Sequence, residues 1–225
     1  MSNSPNSIPI ITIDGPSGAG KGTVAKIVAD HFGFHYLDSG VLYRVLGFLL
    51  EKEKIELSEL NFDASWLENI DLEKKGENIK YCGKDISQDI RSEISGNRAS
   101  KIAKIPQARE ALLAWQRKLA VKPGLVADGR DMGTVVFPGA SLKVFLTATI
   151  EERAQRRHKQ LIKKGISSSI SGLEKEIRER DTRDKNRAIS PLFPASDAKI
   201  LDTTKLSAEQ AADMVINWAQ KFIVD

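Results

Sequence analysis

The stretch Ile8-Pro9-Ile10-Ile11-Thr12-Ile13-Asp14-Gly15-Pro16-Ser17-Gly18-Ala19-Gly20-Lys21-Gly22-Thr23 decides the fold of this chain. Ile8 to Ile13 is a short, β-branched apolar run that reads as a buried strand ending at Asp14-Gly15. From Thr23 to Phe32 the apolar residues Val24, Ile27, Val28 and Ala29 fall at helical spacing, and Gly33 is well suited to close that helix. A glycine-rich turn between a strand and a helix is the context that a phosphate-binding loop requires. Its glycines allow positive φ and let successive N–H groups converge, while the helix N-terminus adds its dipole and unpaired donors. Lys21 adds a full charge, so Gly15, Pro16, Ser17, Gly18, Ala19, Gly20, Lys21, Gly22 and Thr23 together form a cradle for a triphosphate. The string departs from the generic pattern at one place: Gly22 follows Lys21 directly, and the hydroxyl arrives one residue later at Thr23. The alternative is a glycine-rich turn with no ligand. A dinucleotide-binding reading fails, because G-x-G-x-x-G is not present there.

Working outward, Phe34 to Leu37 reads as a second strand and Leu42 to Glu51 as a second helix. Gly124 to Asp128 and Leu142 to Leu146 are two further strands, and Ala198 to Asp202 a fifth. Ser207 with Gln210 forms a capping box ahead of Ala211, Val215, Trp218 and Phe222, an amphipathic closing helix. Strands alternating with helices predict an α/β fold with a mostly parallel sheet. Two segments interrupt that rhythm. Residues from about 60 to 96 contain Glu77 to Ile86, expected to form a small hairpin turning near Gly83. Residues 163 to 172 (KKGISSSISG) are polar and Ser/Gly-rich, and a mobile loop is expected there.

At 225 residues, the chain is long enough for one well-cored domain. Surface scaling leaves roughly 10,000 Å² exposed of the roughly 36,000 Å² in the unfolded chain. Hydrophobic residues at 41% and charged residues at 28% exclude a disordered or collagen-like chain. Cys82 is the only cysteine, which excludes an internal disulfide and a Cys-rich zinc site. The longest apolar runs fall far short of a membrane span, and residues 1–7 lack the basic start and apolar stretch of a signal peptide. The cytoplasm is therefore the expected compartment. A net charge of +4 is a weak pointer to an anionic partner. The placement of the arginines, in Arg153–Arg157 and Arg178–Arg187, says more.

If a phosphate is both donated and accepted, no general base is needed, because the acceptor is already a nucleophile at neutral pH. The apparatus is then cationic, and arginine forks bind phosphate bidentately and stay charged. Arg180, Arg183, Asp184 and Arg187 lie at i, i+3, i+4 and i+7, so one helix face is expected to carry them. Arg153, Arg156 and Arg157 repeat this on the far side of the 163–172 segment. Two basic helices joined by a flexible segment read as a lid; the alternative is a solvated, salt-bridged face. Asp128-Gly129-Arg130-Asp131 closes a strand parallel to the loop strand, so its side chains should face the same crevice. There Asp128 is a candidate for holding Mg²⁺ through its waters, Arg130 for phosphate, and Asp131 for accepting a hydrogen bond from a base amino group. The alternative is a turn with an internal Arg–Asp pair.

In its G-x-x-G-x-G-K-G-T form, Gly15–Thr23 resembles the loop of nucleoside monophosphate kinases, and no Asn-Lys-x-Asp string of switch GTPases is present. Three more strings narrow the resemblance: Leu37-Asp38-Ser39-Gly40-Val41-Leu42-Tyr43-Arg44, Asp128-Gly129-Arg130-Asp131-Met132-Gly133-Thr134-Val135-Val136-Phe137-Pro138, and Arg180-Asp181-Thr182-Arg183-Asp184-Lys185-Asn186-Arg187. With Ser100 and Arg109 they resemble the bacterial cytidylate kinases, over nearly the whole chain from Ile11 to the final helix. The resemblance implies transfer of the γ-phosphoryl group of Mg·ATP to CMP or dCMP, giving ADP and CDP or dCDP. It also implies a P-loop three-layer fold with a five-stranded parallel sheet in one domain spanning 1–225. That domain would have a monophosphate-binding region at about 39–115, enlarged by the insert at about 60–96, and a lid at about 153–183. Ser39, Arg44 and Arg130 would contact the acceptor phosphate region, and Ser100, Arg109 and Asp131 would read cytosine. Arg180 and Asp184 would hold the sugar, and Arg187 would reach the phosphates. Lys21, Asp128, Arg130, Arg180 and Arg187 form the expected catalytic set, with Arg156 and Arg157 on the ATP side. Mg²⁺ would come with ATP, with Thr23 and Asp128 as candidates to hold it through water. A monomer is expected, with no nucleic-acid or membrane partner.

Cytosine chemistry agrees: an amino donor at C4 and acceptors at N3 and O2 complement a carboxylate plus an arginine, whereas the C4 carbonyl of uracil would meet Asp131 repulsively. Two rivals stay open. One is a P-loop kinase for another monophosphate or a hydroxyl acceptor; the other is a nucleic-acid-binding ATPase, against which the 6% aromatic content weighs. His31, His35 and His158 fit no metal-ligand spacing. Cys82 has no base beside it in sequence. Trp66, Trp115 and Trp218 sit at amphipathic positions and read as core.

Overall fold

A computed structural model describes residues 8–52, 70–72, 79–91, 93–163 and 165–223. Trp66 and much of the 60–96 insert lie outside the described residues. Five parallel strands form the central sheet: β1 (Ile10–Asp14), β2 (His35–Asp38), β6 (Leu125–Gly129), β7 (Leu142–Thr147) and β8 (Lys199–Asp202), in spatial order β2-β6-β1-β7-β8. The α/β fold with its five-stranded parallel sheet is therefore as the sequence predicts. The apolar run of β1 reflects its central position, covered on both faces.

Three layers follow from strand alternation. On one face Ile11, Ile13, Val126, Val144 and Leu146 pack against α1 (Lys21–Phe32) and α7 (Ala208–Ile223) through Val24, Val28, Ala211 and Val215. On the other face Leu37, Leu125 and Ala127 pack against α2 (Ser39–Lys52) and α4 (Pro106–Lys118) through Leu42, Val45 and Leu112.

The ends of these elements follow local rules. Gly33 takes a left-handed φ of 65°, and the N–H groups of Gly33 and Phe34 return to Asp30 and Ala29, ending α1 in a Schellman turn. The capping box forms: Ser207 Oγ accepts from the Gln210 N–H at 3.1 Å, and Gln210 Oε1 accepts from the Ser207 N–H at 2.9 Å. Pro106 opens α4, where its missing N–H costs nothing.

A second, antiparallel sheet joins β3 (Ile70–Leu72), β4 (Ile79–Tyr81) and β5 (Lys84–Asp85). The expected hairpin is β4–β5. Its two-residue turn puts Cys82 at φ 49° and Gly83 at φ 74°, both positive as a type I′ turn requires. A further helix, α3 (Glu93–Ile102), packs on α2.

Two helical boundaries differ from expectation. The 163–172 segment is shorter as a connection: α5 (Ile150–Lys163) ends at its first residue, and α6 (Ile170–Lys185) already begins inside it, because Ser169 Oγ accepts from the Gly172 N–H and caps the new helix. At the other end α6 stops at Lys185, so Arg187 lies past the helix rather than on its face. No helix among the described residues is long and apolar enough to cross a membrane.

Candidate active site

The loop after β1 is shaped by contacts that only glycine permits. Gly15 has φ 147°, and a Cβ there would sit 2.1 Å from the carbonyl oxygen of Leu146 at the end of β7. Gly20 precedes α1 with φ 88°. Lys21 is buried and donates to the Pro16 carbonyl at 2.8 Å, so its ammonium lies folded over the loop. Burial and the nearby Arg130 push the Lys21 ammonium well below the usual lysine range, and Asp128 partly opposes them.

The carboxyl ends of three strands converge beside the loop. In register, Asp38 of β2 lies opposite Asp128 of β6, and Ile13 of β1 lies on the other side of Asp128. Asp128 accepts a 2.7 Å hydrogen bond from the Tyr36 hydroxyl. Burial first, then the neighbouring Asp38, raise the Asp128 carboxyl, while Lys21 and Tyr36 oppose the rise. Gly22 packs under the same hydroxyl, since a Cβ there would stand 3.4 Å from Tyr36 Oη.

Asp14, at the end of β1, accepts from the N–H groups of Met132 at 2.9 Å and Gly133 at 2.8 Å. Burial raises its carboxyl to about 6 despite these two hydrogen bonds. Met132–Val136 form a π-helical turn directly after Asp131, an irregularity that periodicity does not announce.

One side of the crevice is organised around Asp184, which is buried and takes arginines from two directions. Arg130 Nε donates to Asp184 Oδ2 at 2.8 Å, and Arg187 Nη2 lies 3.3 Å from Oδ1. Burial alone would raise Asp184, but Arg130 and Arg187 hold it below the ordinary carboxylate range. Ser100 Oγ reaches the same carboxylate at 3.5 Å. Arg180 is held down to about 9 by burial and by Arg130, and its buried Nε has no hydrogen-bond partner among the described residues. A second cluster joins Arg109 and Asp131 in an ion pair. Arg109 also donates to the Tyr43 hydroxyl at 3.3 Å and to Ser190 Oγ at 2.7 Å. Burial drives the Tyr43 phenol up to about 12.

Two clefts share one wall. The larger, about 450 Å³, opens above the loop and is lined by Ser17, Gly18, Ala19, Gly20, Thr23, Arg156 and Arg157 among others. The smaller, about 190 Å³, is lined by every residue that the resemblance assigns to the acceptor: Ser39, Arg44, Ser100, Arg109, Arg130, Asp131, Arg180, Asp184 and Arg187, with Lys21 and Asp128. Ser17, Gly18, Arg44 and Arg180 border both. Gly15, Pro16 and Gly22 line neither; they shape the loop from behind.

The arginines of α5 divide. Arg153 is buried and fully committed: it donates to Ala148 O at 3.1 Å and Ser17 O at 3.0 Å and pairs with Asp181 at 2.6 Å. It pins α5, α6 and the loop together and is not a free phosphate ligand. Arg156 pairs with Glu152 and donates to Thr203 Oγ1 at 3.1 Å, while Thr203 Oγ1 donates in turn to Ala19 O at 3.2 Å.

Sequence reasoning missed Asp14, Tyr36, Arg153 as a pin, and Ser190. Asp14 had one usable signal, a carboxylate closing a strand buried on both faces. Ser190 had none; its backbone takes a left-handed φ of 50°.

The family described as Cytidylate kinase matches residues 11–221. The chain is 52% identical over 210 residues to the cytidylate kinase of Burkholderia vietnamiensis and, at the same identity and length, to that of Burkholderia multivorans, covering 93% of this chain and 92% of each relative. Among solved structures, an uncharacterized protein from Eubacterium ventriosum shares the fold with a TM-score of 0.55 at 16% identity, over 95% of this chain and 98% of that one.

Proposed function

This chain belongs to the cytidylate kinase family, and from that premise we propose that its paired clefts carry the γ-phosphoryl group of ATP to CMP and dCMP in the way the following assignments describe. ATP occupies the larger cleft with its phosphates in the loop Gly15–Thr23. The acceptor monophosphate occupies the smaller one, and the transferred group passes along the wall that Ser17, Gly18, Arg44 and Arg180 share. The observation that carries this reading is that shared wall, with the buried Arg180 Nε lacking an acceptor among the described residues.

The acceptor oxygen is anionic and needs no base, so the residues act by positioning and charge. Lys21 swings from the Pro16 carbonyl to the donor phosphates, where its depressed proton affinity recovers beside the new anions. Arg44 and Arg130 hold the acceptor phosphate, with Ser39 beside them, and Arg180 and Arg187 spread the charge that develops between the two groups. Asp184 holds Arg130 and Arg187 in place and, with Arg180, faces the sugar.

The Arg109–Asp131 pair opens to receive cytosine, so that Asp131 accepts from the C4 amino group and Arg109 donates to the ring acceptors, with Ser100 beside them. An unpaired or repulsive contact in so buried a pair costs about 1–3 kcal/mol, which supports selection of cytosine over uracil.

The oxygen donors fit Mg²⁺ arriving with the nucleotide: the Asp128 carboxylate beside Asp38, and the Thr23 hydroxyl, are hard ligands suited to bound water and phosphate. Mg²⁺ supplies charge neutralisation on the transferring phosphates. No group of three or more His, Cys, Asp or Glu side chains that could hold a metal occurs among the described residues. The same reading takes the segment from about 153 to 183 as a lid over the clefts, the segment from about 39 to 115 as the monophosphate-binding region, and the protein as a cytoplasmic monomer with no nucleic-acid or membrane partner.

The test is ADP release from Mg·ATP with CMP, dCMP, UMP, AMP and dTMP offered separately. CMP and dCMP are expected to dominate. Activity peaking on another monophosphate overturns Asp131 as the cytosine reader.

A further inference from the structure

The turn that follows Asp131 is held at its two ends by Asp14 and Arg117, two side chains that line neither cleft. The Asp131 carbonyl accepts from the Val135 N–H at 2.9 Å and the Val136 N–H at 3.2 Å, so the backbone of Asp131 is the first link of the π-helical turn. Asp14 holds the N-terminal end through the Met132 and Gly133 N–H groups. Arg117 holds the C-terminal end: its Nε donates to Val136 O at 2.9 Å and its Nη2 to Val135 O at 3.0 Å. Gly133 lets the turn lie against β1, since a Cβ there would meet Thr12 Oγ1 at 2.8 Å.

Arg117 and Arg109 belong to the same helix, α4. Eight residues of α-helix put them about 12 Å apart along its axis. One helix therefore touches the turn twice, at the Asp131 carboxylate through Arg109 and at the far carbonyls through Arg117. A rigid helix fixed at the second point sets the register at the first. Asp14 fixes the same turn to the strand that leads into the phosphate loop. A π-turn loses the regular hydrogen-bond ladder of an α-helix, and such turns concentrate where side-chain aim matters.

We propose that Asp14 and Arg117 are positioning residues for base recognition, clamping the 132–136 turn at its two ends so that Asp131 and Arg109 present their polar atoms to the base in one register. This rests on the reading of Asp131 and Arg109 as the base readers. Neither clamp touches the base; each acts through Asp131.

The experiment compares kcat/KM for CMP and for UMP, with saturating Mg·ATP, in the full-length protein and in Arg117→Met, Arg117→Lys, Asp14→Asn and Asp131→Asn, with KM for ATP measured alongside. Arg117 is exposed, so its replacements keep the fold. Arg117→Met should lower the CMP-to-UMP ratio about tenfold, a change of about one factor of ten in relative transition-state binding, mainly through KM for CMP and with KM for ATP unchanged. Arg117→Lys should recover part of the ratio, because an ammonium can still serve one carbonyl. Asp14→Asn should lower the ratio as well, because its amide nitrogen faces an N–H where a carboxylate oxygen stood. A merely structural role would lower the melting temperature and leave the ratio alone. The proposal is overturned if Arg117→Met and Asp14→Asn both keep the ratio while Asp131→Asn collapses it; if Asp14→Asn does not fold, the two Arg117 variants decide. An Asp131→Asn enzyme with an unchanged ratio overturns the base-reading assignment itself, and this proposal with it.

Discussion

Arg130 and Asp184 meet through a 2.8 Å hydrogen bond from Nε to Oδ2, joining the end of β6 to the last turn of α6. Asp184 is the shared counter-charge of the crevice, because Arg187 approaches its other oxygen. Its side chain is 4% exposed, so the pair is screened little by solvent. Removing one member of a buried pair leaves an uncompensated charge, which costs more than the pair itself contributes.

Asp184→Ala is therefore expected to destabilise the protein by about 3–5 kcal/mol and to raise KM for CMP more than KM for ATP. Urea unfolding and separate titrations of the two substrates check this. A stable variant with both KM values unchanged would show that Asp184 neither organises the arginines nor faces the acceptor.

Lys21 is buried, and its proton affinity is lowered by burial and by Arg130. Lys21→Met should cut kcat by about 10²–10³, the scale of losing one preorganised charged donor. Its stability should hold or rise, since a desolvated ammonium is exchanged for an apolar chain of similar volume. Turnover and the melting temperature, measured on one sample, separate these two effects.

Stability should depend on pH with opposite signs in two ranges. The Asp14 carboxyl stands at about 6 in the folded protein against an ordinary value of 3.8, so the folded state binds this proton more tightly than the unfolded chain. Its contribution is complete below about pH 4 and is lost as pH rises through about 6, by an amount on the order of 3 kcal/mol. Asp184 is lowered, so its contribution is present above the ordinary carboxylate range and is lost as pH falls through its depressed folded value. Denaturant melts from pH 4 to 7 should decline less steeply in Asp14→Asn than in the native protein. Equal slopes would remove Asp14 as a source of the decline.

The elements most legible in the sequence were those whose cause is local. The loop with its flanking strand and helix, the Gly33 stop, the hairpin at Gly83 and the Ser207–Gln210 box are each written in one continuous stretch of sequence. The boundaries of α6 were less legible, because a serine cap at Ser169 competed with the Gly/Ser content of the segment around it. Arg187 was placed on the α6 face by spacing alone, yet the helix ends two residues earlier and the side chain turns back to Asp184.

By itself, the sequence determined the fold class and named the candidates for the site: the cradle, the arginines, and the carboxylates at strand ends, since side-chain chemistry and short-range periodicity are written residue by residue. Only the tertiary structure decided which of those groups answer to which. Asp14 is 118 residues from Met132, and Arg153 is 136 residues from Ser17. Those pairings exist because β1 lies between β6 and β7 in the sheet, an order set by packing across the whole chain. The same packing buries Lys21, Asp128 and Asp184 together, and burial is what moves their proton affinities and turns a list of charges into a site.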